Sequence, residues 1–360
     1  MFRSRLFSGT QGQHGSALAW SVVMATCILG LLLVSASVGA VEVRGSQAAR
    51  IMVGHLLPGM PWMSDGSLTP LQDQAVWQFR LPRALLAGVA GASLSLAGML
   101  MQAIVRNPLA EPYILGVSSG ASVGAVLVII SGAATFYGLT LSAAAFVGAV
   151  STCVAVALLA QRHGVLSPTR LVLSGVALGT FLSAVTSYLT ITTDAQNVVG
   201  VLFFILGSVS GADMAGLILP ALALALALLI VLPSLDALNA MLTGDESAAA
   251  LGINASAVRT RMMVVAALLT AAVVSVAGGI AFVGLVAPHV ARILVGVDHR
   301  RVLPVATLTG AAFLMGADLL ARTVAPPTEV PLGVLTAFVG APLFLWLMRR
   351  DAAASAGFDR

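Results

Sequence analysis

Residues 80–120 read RLPRALLAGVAGASLSLAGMLMQAIVRNPLAEPYILGVSSG. The part between Arg83 and Arg106 carries no charged residue. A membrane-spanning helix needs about 20 mostly apolar residues, so this stretch predicts one span over about 80–104 and a second over about 113–131. The break between them, at Arg106 to Pro108, is where the chain leaves the membrane.

The composition of the whole chain agrees with this pattern. Of its 360 residues, 59% are hydrophobic and 9% are charged, and the mean hydropathy is +1.01. Soluble domains carry about 25% charged residues, so the chain lacks the side chains to cover a water-facing surface. It is therefore predicted to be an all-α integral membrane protein whose main solvent is lipid.

The same length criterion predicts about ten transmembrane helices. A weaker segment, 196–210, is too short to cross and is predicted to be a short surface helix. Residues 1–17 and 350–360 are predicted to be cytoplasmic tails around a transmembrane domain over 18–349. The ten spans are expected at about 18–40, 80–104, 113–131, 139–160, 168–191, 214–234, 259–282, 284–297, 301–321 and 332–348.

The first apolar run has an alternative interpretation as a cleaved signal peptide. Val38 and Ala40 suit the small-residue cleavage rule, and Arg3 and Arg5 precede the run. Its length exceeds the apolar core of about 7–15 residues that is usual in signal peptides. A retained span is favoured.

The arginines indicate the topology, since the chain has no lysine. With the N-terminus inside, thirteen arginines fall at cytoplasmic ends of spans and five fall outside, as the positive-inside rule requires. Both termini are then cytoplasmic, and the net charge of +4 reflects topology rather than nucleic-acid binding. The five outer residues are Arg44, Arg50, Arg80, Arg83 and Arg322.

Several chemistries find no support in the sequence. A P-loop needs the lysine of G-x-x-x-x-G-K-[ST], and this chain has no lysine. ATP that drives this protein must therefore be hydrolysed by another subunit. Cys27 and Cys153 lie in apolar runs and indicate neither a disulfide nor a ligand pair. The five histidines have no metal-ligand spacing. No metal or other cofactor is predicted.

Small residues indicate close helix packing and a possible internal repeat. Gly116, Gly120 and Gly124 form a stripe at four-residue spacing, which lets helix backbones approach closely in lipid. Four residues also recur 180 positions later in segments that run in opposite directions, which is the pattern of an inverted repeat. The recurring pairs are Ala97 and Ala277, Gly98 and Gly278, Pro108 and Pro288, and Gly116 and Gly296.

Acidic residues near the spans are predicted to lie at span ends and to form no buried proton relay, so an ion-coupled transporter is the disfavoured alternative. These residues are Asp194, Asp213, Asp236 and Asp318, of which Asp318 is placed to pair with Arg322 one helical turn later. Thr180, Ser183, Ser187 and Thr190 share one face of the fifth span. This face is interpreted either as a mildly polar wall of a translocation path or as ordinary helix packing.

Motifs along most of the chain resemble the permeases of ferric-siderophore, haem and vitamin B12 importers, the FecCD-type family of type II ATP-binding-cassette (ABC) importers. Besides residues 80–120, they are GGIAFVGLVAPHVARILVGVDHR at 278–300, GADLLAR at 316–322 and EVPLGVLTAFVGAPLFLWL at 329–347. One departure is Phe203-Phe204 before Leu206-Gly207-Ser208, where the family usually has a tryptophan.

The resemblance implies a ten-helix permease that forms a homodimer in the bacterial inner membrane. Two cytoplasmic ABC ATPase subunits would bind below and a periplasmic substrate-binding protein above, with the fifth helix lining the path. The expected cargo is an iron complex, a ferric siderophore or haem, and the alternative within the family is cobalamin. A structural membrane scaffold would explain none of these motifs.

Two groups of residues gain roles from the resemblance. Arg80, Arg83 and Arg322 match positions that face acidic residues of the binding protein in the vitamin B12 member, with lipid-headgroup anchoring as the alternative. The segment 244–254 matches the cytoplasmic coupling segment, where Gly252 is expected to end a short helix in a left-handed conformation. An ordinary loop helix is the alternative there. The coupling residues are Gly244, Asp245, Glu246, Ser247, Ala250, Leu251 and Gly252.

Overall fold

The computed structural model describes residues 9–132, 135–136, 139–162, 165–325 and 328–356. Most of these residues are helical. Residues 1–8 and 357–360 of the two predicted tails, and His163, lie outside the described residues. The helices are α1 (Gly9–Ser37), α2 (Gly45–Leu56), α3 (Pro70–Gln74), α4 (Leu81–Val105), α5 (Val117–Ile130), α6 (Leu141–Ala160), α7 (Pro168–Thr192), α8 (Ala195–Leu206), α9 (Met214–Val231), α10 (Leu235–Leu242), α11 (Asp245–Ala250), α12 (Ala255–Ala277), α13 (Val283–Val295), α14 (His299–Ala321) and α15 (Leu332–Ala356).

The described residues also form two very short antiparallel hairpins. Strand β1 (Thr135–Phe136) pairs with β2 (Leu139–Thr140) between α5 and α6, and β3 (Gln161–Arg162) pairs with β4 (Val165–Leu166) between α6 and α7. Each strand has two residues, so they serve as tight connections between helices and leave the fold all-α.

The helices coincide with the ten predicted spans. In the described part of the chain, seven helical segments are long and apolar enough to cross a membrane. Three shorter apolar helices, α5, α13 and the apolar part of α15, lie where the remaining spans were predicted. Large apolar side chains such as Leu18, Leu173 and Leu229 are exposed on the outer helices, as lipid contact requires.

The boundaries differ from the prediction at both ends of the chain. Helix α1 already begins at Gly9, and α15 continues to Ala356, so each enters a region that was predicted to be a tail. The reason is that helix formation is cooperative: a stable apolar segment extends into flanking residues that can adopt helical geometry.

Helix lengths repeat along the chain. Helices α4 to α7 are one long helix, one short helix and two long helices. They have 25, 14, 20 and 25 residues. The series α12 to α15 has 23, 13, 23 and 25 residues. The four residue pairs noted in the sequence do not define this repeat, because Gly98 lies inside α4 whereas Gly278 follows α12. Of those glycines, Gly116, Gly278 and Gly296 have a positive φ.

Close helix packing along the glycine stripe is confirmed. A Cβ atom on Gly120 would lie 2.5 Å from the carbonyl oxygen of Gly148, and one on Gly124 would lie 2.2 Å from that of Ala144. Both contacts are between α5 and α6. Helix α14 crosses α4 equally closely, and there the Ser95 hydroxyl donates a hydrogen bond to the Ala306 carbonyl at 2.7 Å.

The segment between α1 and α4, which carries no interpretable motif, is a folded cap. Ala36, Val43, Ala48, Ile51 and Val76 form its buried core. Beside this core, the ring of His55 stacks on that of Trp77 with centroids 4.2 Å apart, and His55 Nε2 lies 2.8 Å from an oxygen of Asp73. The cap covers the end of α1 and precedes the RLPR motif.

Candidate functional site

The connection between α12 and α13, residues 278–282, is irregular backbone between two helices. Gly278 has a φ of +68°, and Phe282, unusually for a non-glycine residue, has a φ of +69°. A Cβ atom on Gly278 would lie 2.1 Å from the carbonyl oxygen of Phe204, so the end of α8 packs directly on this connection. Irregular backbone of this kind is tolerated in a membrane protein only where the protein itself supplies hydrogen-bond partners.

Two side chains from the connection between α4 and α5 supply those partners. The Tyr113 hydroxyl donates to the carbonyl of Ile280 at 2.8 Å and accepts from the N–H of Ile280 at 3.0 Å. The Glu111 carboxylate accepts from the N–H of Phe282 at 2.6 Å. A buried backbone group without a partner costs about 1–3 kcal/mol, so Glu111 and Tyr113 stabilise this unwound segment.

Two more segments meet at the same place. The Gly279 and Ser208 N–H groups donate to the carbonyls of Phe204 and Ala277, at 3.3 and 2.8 Å. The N–H of Leu332, at the start of α15, donates to the carbonyl of Gly207 at 2.8 Å. The predicted short helix α8 is present and mostly exposed, and its end is held at this junction. Backbone hydrogen bonds join the ends of α8 and α12 to the start of α15.

The predicted coupling segment forms the short helix α11. Asp245 and Glu246 open its first turn, as predicted, and the preceding Gly244 has a φ of +121°. Gly252 has a φ of +76°, which confirms the left-handed helix end. Its N–H donates to the Ala249 carbonyl at 2.9 Å. The exposed coupling residues are Asp245, Glu246, Ser247, Ala250, Leu251 and Gly252, while Ala248 is buried beneath them.

Ion pairs of Asp245 connect α11 to two long helices. Arg259 of α12 donates to both carboxylate oxygens at 3.2 Å, and Arg106, just after α4, also donates to the carboxylate. Partial burial opposes ionisation of Asp245, but the hydrogen bond and charge of Arg259 and the charge of Arg106 outweigh it and hold its pKa below the ordinary value. The Asp245 carboxylate is thus ionised at neutral pH. Arg106 leads directly into the segment that carries Glu111 and Tyr113.

At the opposite end of α4, two of the three predicted docking arginines cap α1. Arg80 donates to the carbonyls of Ala36 and Ser37 at 3.0 and 2.9 Å. Arg322 donates to those of Ser35 and Val38 at 2.9 and 3.2 Å. The last carbonyls of a helix have no partner within it, and these guanidinium groups satisfy them. Both arginines are largely buried.

The third arginine forms the main ion pair of Asp318. Arg83 donates to Asp318 at 2.9 Å and to Glu329 at 2.7 Å. The pairing predicted between Asp318 and Arg322 is present but longer, with 3.8 Å between nitrogen and oxygen. Asp318 is fully buried and Arg83 has 11% of its side chain exposed, whereas Glu329 is more open at 37%. A role of these arginines in docking the binding protein stays a prediction. Of the three, Arg83 is the one whose acidic partner Glu329 is partly exposed.

The hydroxyl face of α7 is exposed in the single chain. Thr180, Ser183 and Ser187 are exposed, and Thr190 is half-buried. The hydroxyls of Ser187 and Thr190 donate to carbonyls one turn earlier in α7, and Ser183 lies 3.2 Å from the hydroxyl of Ser119 on α5. Two of these hydroxyls thus bond within α7 and one contacts α5, and the face is mildly polar and uncharged.

Comparison with known proteins identifies the family. The model of the FecCD transport family matches residues 27–350. The chain belongs to the FecCD transport family. It is accordingly the permease subunit of an ABC importer, a class in which the ATPase is a separate subunit and a substrate-binding protein is a partner.

Individual FecCD relatives differ in their cargo. The cobalamin import system permease of Halobacterium salinarum is 37% identical, over 92% of this chain and 96% of that protein. The Fe(3+) dicitrate transport system permease of Escherichia coli is 41% identical, over 81% and 91%. A solved structure of an inward-facing, metal-chelate type ABC transporter has a TM-score of 0.79 and 30% identity, covering 92% of this chain and 98% of that one.

The sequence did not identify the residues that hold the FecCD permease's unwound segment. Glu111 and Tyr113 lie in the quoted stretch 80–120, but no local pattern there predicts a role for either residue. A carboxylate and a tyrosine that directly precede an apolar run were the available signal. Their backbone partners are 171 and 167 residues away, and no local pattern reports such a distance.

Proposed function

We propose that this FecCD-family permease imports a metal chelate, specifically an iron complex such as a ferric siderophore or haem. The observation that supports ATP-driven import is the connected arrangement of α11, Arg106 and the unwound segment 278–282. It offers a physical route by which an ATPase bound at α11 can act on the middle of the bundle. The named cargoes of the relatives above, cobalamin and ferric dicitrate, are both organic chelates of a metal, as is the hemin of a Yersinia pestis relative that is 37% identical.

Cobalamin is the second candidate cargo. The relative from Halobacterium salinarum that covers 92% of this chain carries that name. The uncharged hydroxyl face of α7 suits any large cargo that is selected elsewhere, because it offers no strong ligand of its own. Choice between cargoes would then rest with the binding protein.

In the proposed cycle, α11 fits a groove on the cytoplasmic ATPase. Nucleotide-driven movement of the ATPase displaces α11, and the ion pairs of Asp245 transfer the displacement to Arg106 and Arg259. Arg106 precedes the segment that carries Glu111 and Tyr113, so the movement reaches the junction of α8, α12, α13 and α15. The permease itself hydrolyses no ATP, in keeping with its lack of lysine.

The periplasmic binding protein is proposed to dock at the end of the bundle that carries Arg80, Arg83 and Arg322. Arg83 has the best geometry for this role, because an acidic residue of the partner can replace the half-exposed Glu329 without disturbing the buried pair with Asp318. Arg80 and Arg322 would support docking by holding the end of α1 in place.

The path is proposed to run between two copies of this chain, along the face of α7 that bears Thr180, Ser183, Ser187 and Thr190. Exposure of this face in the single chain supports an apposed second copy. The homodimer would lie in the bacterial inner membrane with both termini cytoplasmic and the transmembrane domain over residues 18–349.

Cargo is best tested by uptake in cells that lack their own importers of this type. The permease, its genetic neighbours for the ATPase and the binding protein are expressed together, and radiolabelled ferric siderophores, haem and cobalamin are supplied in parallel. Accumulation of an iron complex supports the proposal. Accumulation of cobalamin alone assigns the second candidate, and accumulation of none of them contradicts both.

A further inference from the structure

A cavity of about 260 Å³ lies at the end of the bundle that carries α11. Its polar lining comes from Gln102, Arg106, Asn107, Arg292 and His299, which contain no carboxylate. Two guanidinium groups therefore face one recess between α4, α13 and α14. Arg106 also belongs to the coupling route proposed above, but that route gives no role to Arg292 or to the cavity itself.

Arg292 is the unusual member of this group. Its described hydrogen bond goes to the amide oxygen of Gln102, and no described carboxylate lies within ion-pair distance of it. The Gln102 amide nitrogen donates to the Gly284 carbonyl at 3.2 Å, which fixes its oxygen toward Arg292. Arg292 is half-buried, and a charge that is partly removed from water is costly unless an anion accompanies it, so an anion in the cavity would stabilise it.

The rim of the cavity indicates which kind of anion fits. Leu242 and Val297 are exposed at 50% and 63%, and both line it together with Ala103 and Val302. A cationic recess with an exposed apolar rim complements an anion that carries a hydrocarbon chain. Positive residues concentrate at the cytoplasmic ends of spans, and basic pockets between membrane helices on that side bind anionic lipid headgroups.

We propose that this cavity binds the phosphate headgroup of an anionic phospholipid, with Arg292 and Arg106 as its ligands and Leu242 and Val297 against the acyl chains. Arg106 also bonds Asp245 of α11, so the lipid sits beside the coupling helix. A site of this kind would make the position of α11 on the ATPase sensitive to the charge of the surrounding membrane.

The test is lipid binding to the purified, delipidated chain, measured by native mass spectrometry with phosphatidylglycerol as the probe and phosphatidylcholine as the neutral comparison. Arg292→Gln keeps a donor for Gln102 but removes the charge. We expect it to weaken phosphatidylglycerol binding by about tenfold or more, the effect of one charge-assisted hydrogen bond. Arg261→Gln, at an exposed arginine at the same end, is the matched control and should change binding by less than about twofold.

Thermal unfolding without lipid verifies that both variants are folded. Equal binding of the two lipids, or equal losses in the two variants, would overturn the proposal. Binding of inorganic phosphate that is lost in Arg292→Gln, without any preference for phosphatidylglycerol, would overturn the lipid assignment in favour of a free anion. If Arg292→Gln leaves lipid binding unchanged but weakens binding of the ATPase, the proposal is overturned. Arg292 would then pair with a carboxylate of the ATPase.

Discussion

The carboxylate of Glu111 accepts a hydrogen bond from the backbone N–H of Phe282 at 2.6 Å, and Phe282 has a φ of +69°. A left-handed conformation costs a non-glycine residue about 1–2 kcal/mol, so it persists only where surrounding contacts maintain it. Together with the two hydrogen bonds of Tyr113 to Ile280, this contact fixes how α12 ends and α13 begins. The connection after α4 thus controls the shape of a segment in the second half of the chain.

Glu111 is expected to act as a hydrogen-bond acceptor and not as a proton carrier. Glu111→Ala leaves the N–H of Phe282 without its partner and should lower the free energy of unfolding by about 1–3 kcal/mol. Glu111→Gln keeps a carbonyl oxygen for the bond and should retain both stability and transport. Thermal unfolding and ATP-driven uptake check this. If Glu111→Gln stops transport while the protein stays folded, Glu111 carries protons and the ion-coupled alternative gains support.

Gly252 offers a test of coupling in which backbone conformation is the only variable. No atom lies within 4 Å of a Cβ built on it, so a larger side chain meets no clash. Gly252→Ile should disfavour the left-handed end of α11 by about 1–2 kcal/mol, and uptake per ATP hydrolysed should fall. Gly252→Asn is the matched control, because asparagine tolerates this conformation. Equal coupling in the two variants would remove the role assigned to the end of α11.

If the binding protein docks on Arg83, then removal of the competing carboxylate of Glu329 should strengthen its binding. Glu329→Gln frees one side of the Arg83 guanidinium while the pair with Asp318 maintains the fold. Association with the binding protein should tighten by about two- to fivefold at low salt and less at high salt. Glu42→Gln removes an exposed charge outside the Arg83 cluster and should have a smaller effect. Unchanged or weaker binding by Glu329→Gln would show that Arg83 is structural.

The path along α7 predicts which cysteines water-soluble thiol reagents can reach. With Cys27 and Cys153 replaced by alanine, cysteines introduced by Ser183→Cys and Ser187→Cys should react, since thiolates form readily only in water. Cysteines introduced at Leu182 and Val185, which are half-buried, should stay protected. Labelling should also change when the ATPase is trapped with nucleotide. Equal labelling of both faces in every nucleotide state would show that the hydroxyl face serves only helix packing.

The sequence predicted what depends on local patterns. Span positions follow from runs of apolar residues, and the left-handed end of α11 follows from a glycine after a short polar helix. Close packing on Gly120 and Gly124 follows from four-residue spacing. These features are set by physical preferences of residues near one another in the chain, and the structure agrees with each.

Features that depend on distant residues were missed. Arg83 is the main partner of Asp318 across 235 positions, whereas spacing favoured Arg322 because it lies one turn away. Helix α8 was expected at the surface because it is too short to cross. Most of its residues are exposed, as expected, but its end is held by backbone hydrogen bonds of residues 204–208 to Ala277 and Gly279, and no hydropathy pattern in residues 195–206 specifies those partners.

The measurement that tests the central claim most directly is uptake into proteoliposomes under two energy sources. One set contains this chain with its ATPase and binding protein and receives ATP, and the other contains this chain alone under a proton or sodium gradient. The account predicts that cargo accumulates in the first set, stops when ATP is withheld, and does not accumulate in the second. Accumulation in vesicles that hold this chain alone would contradict it.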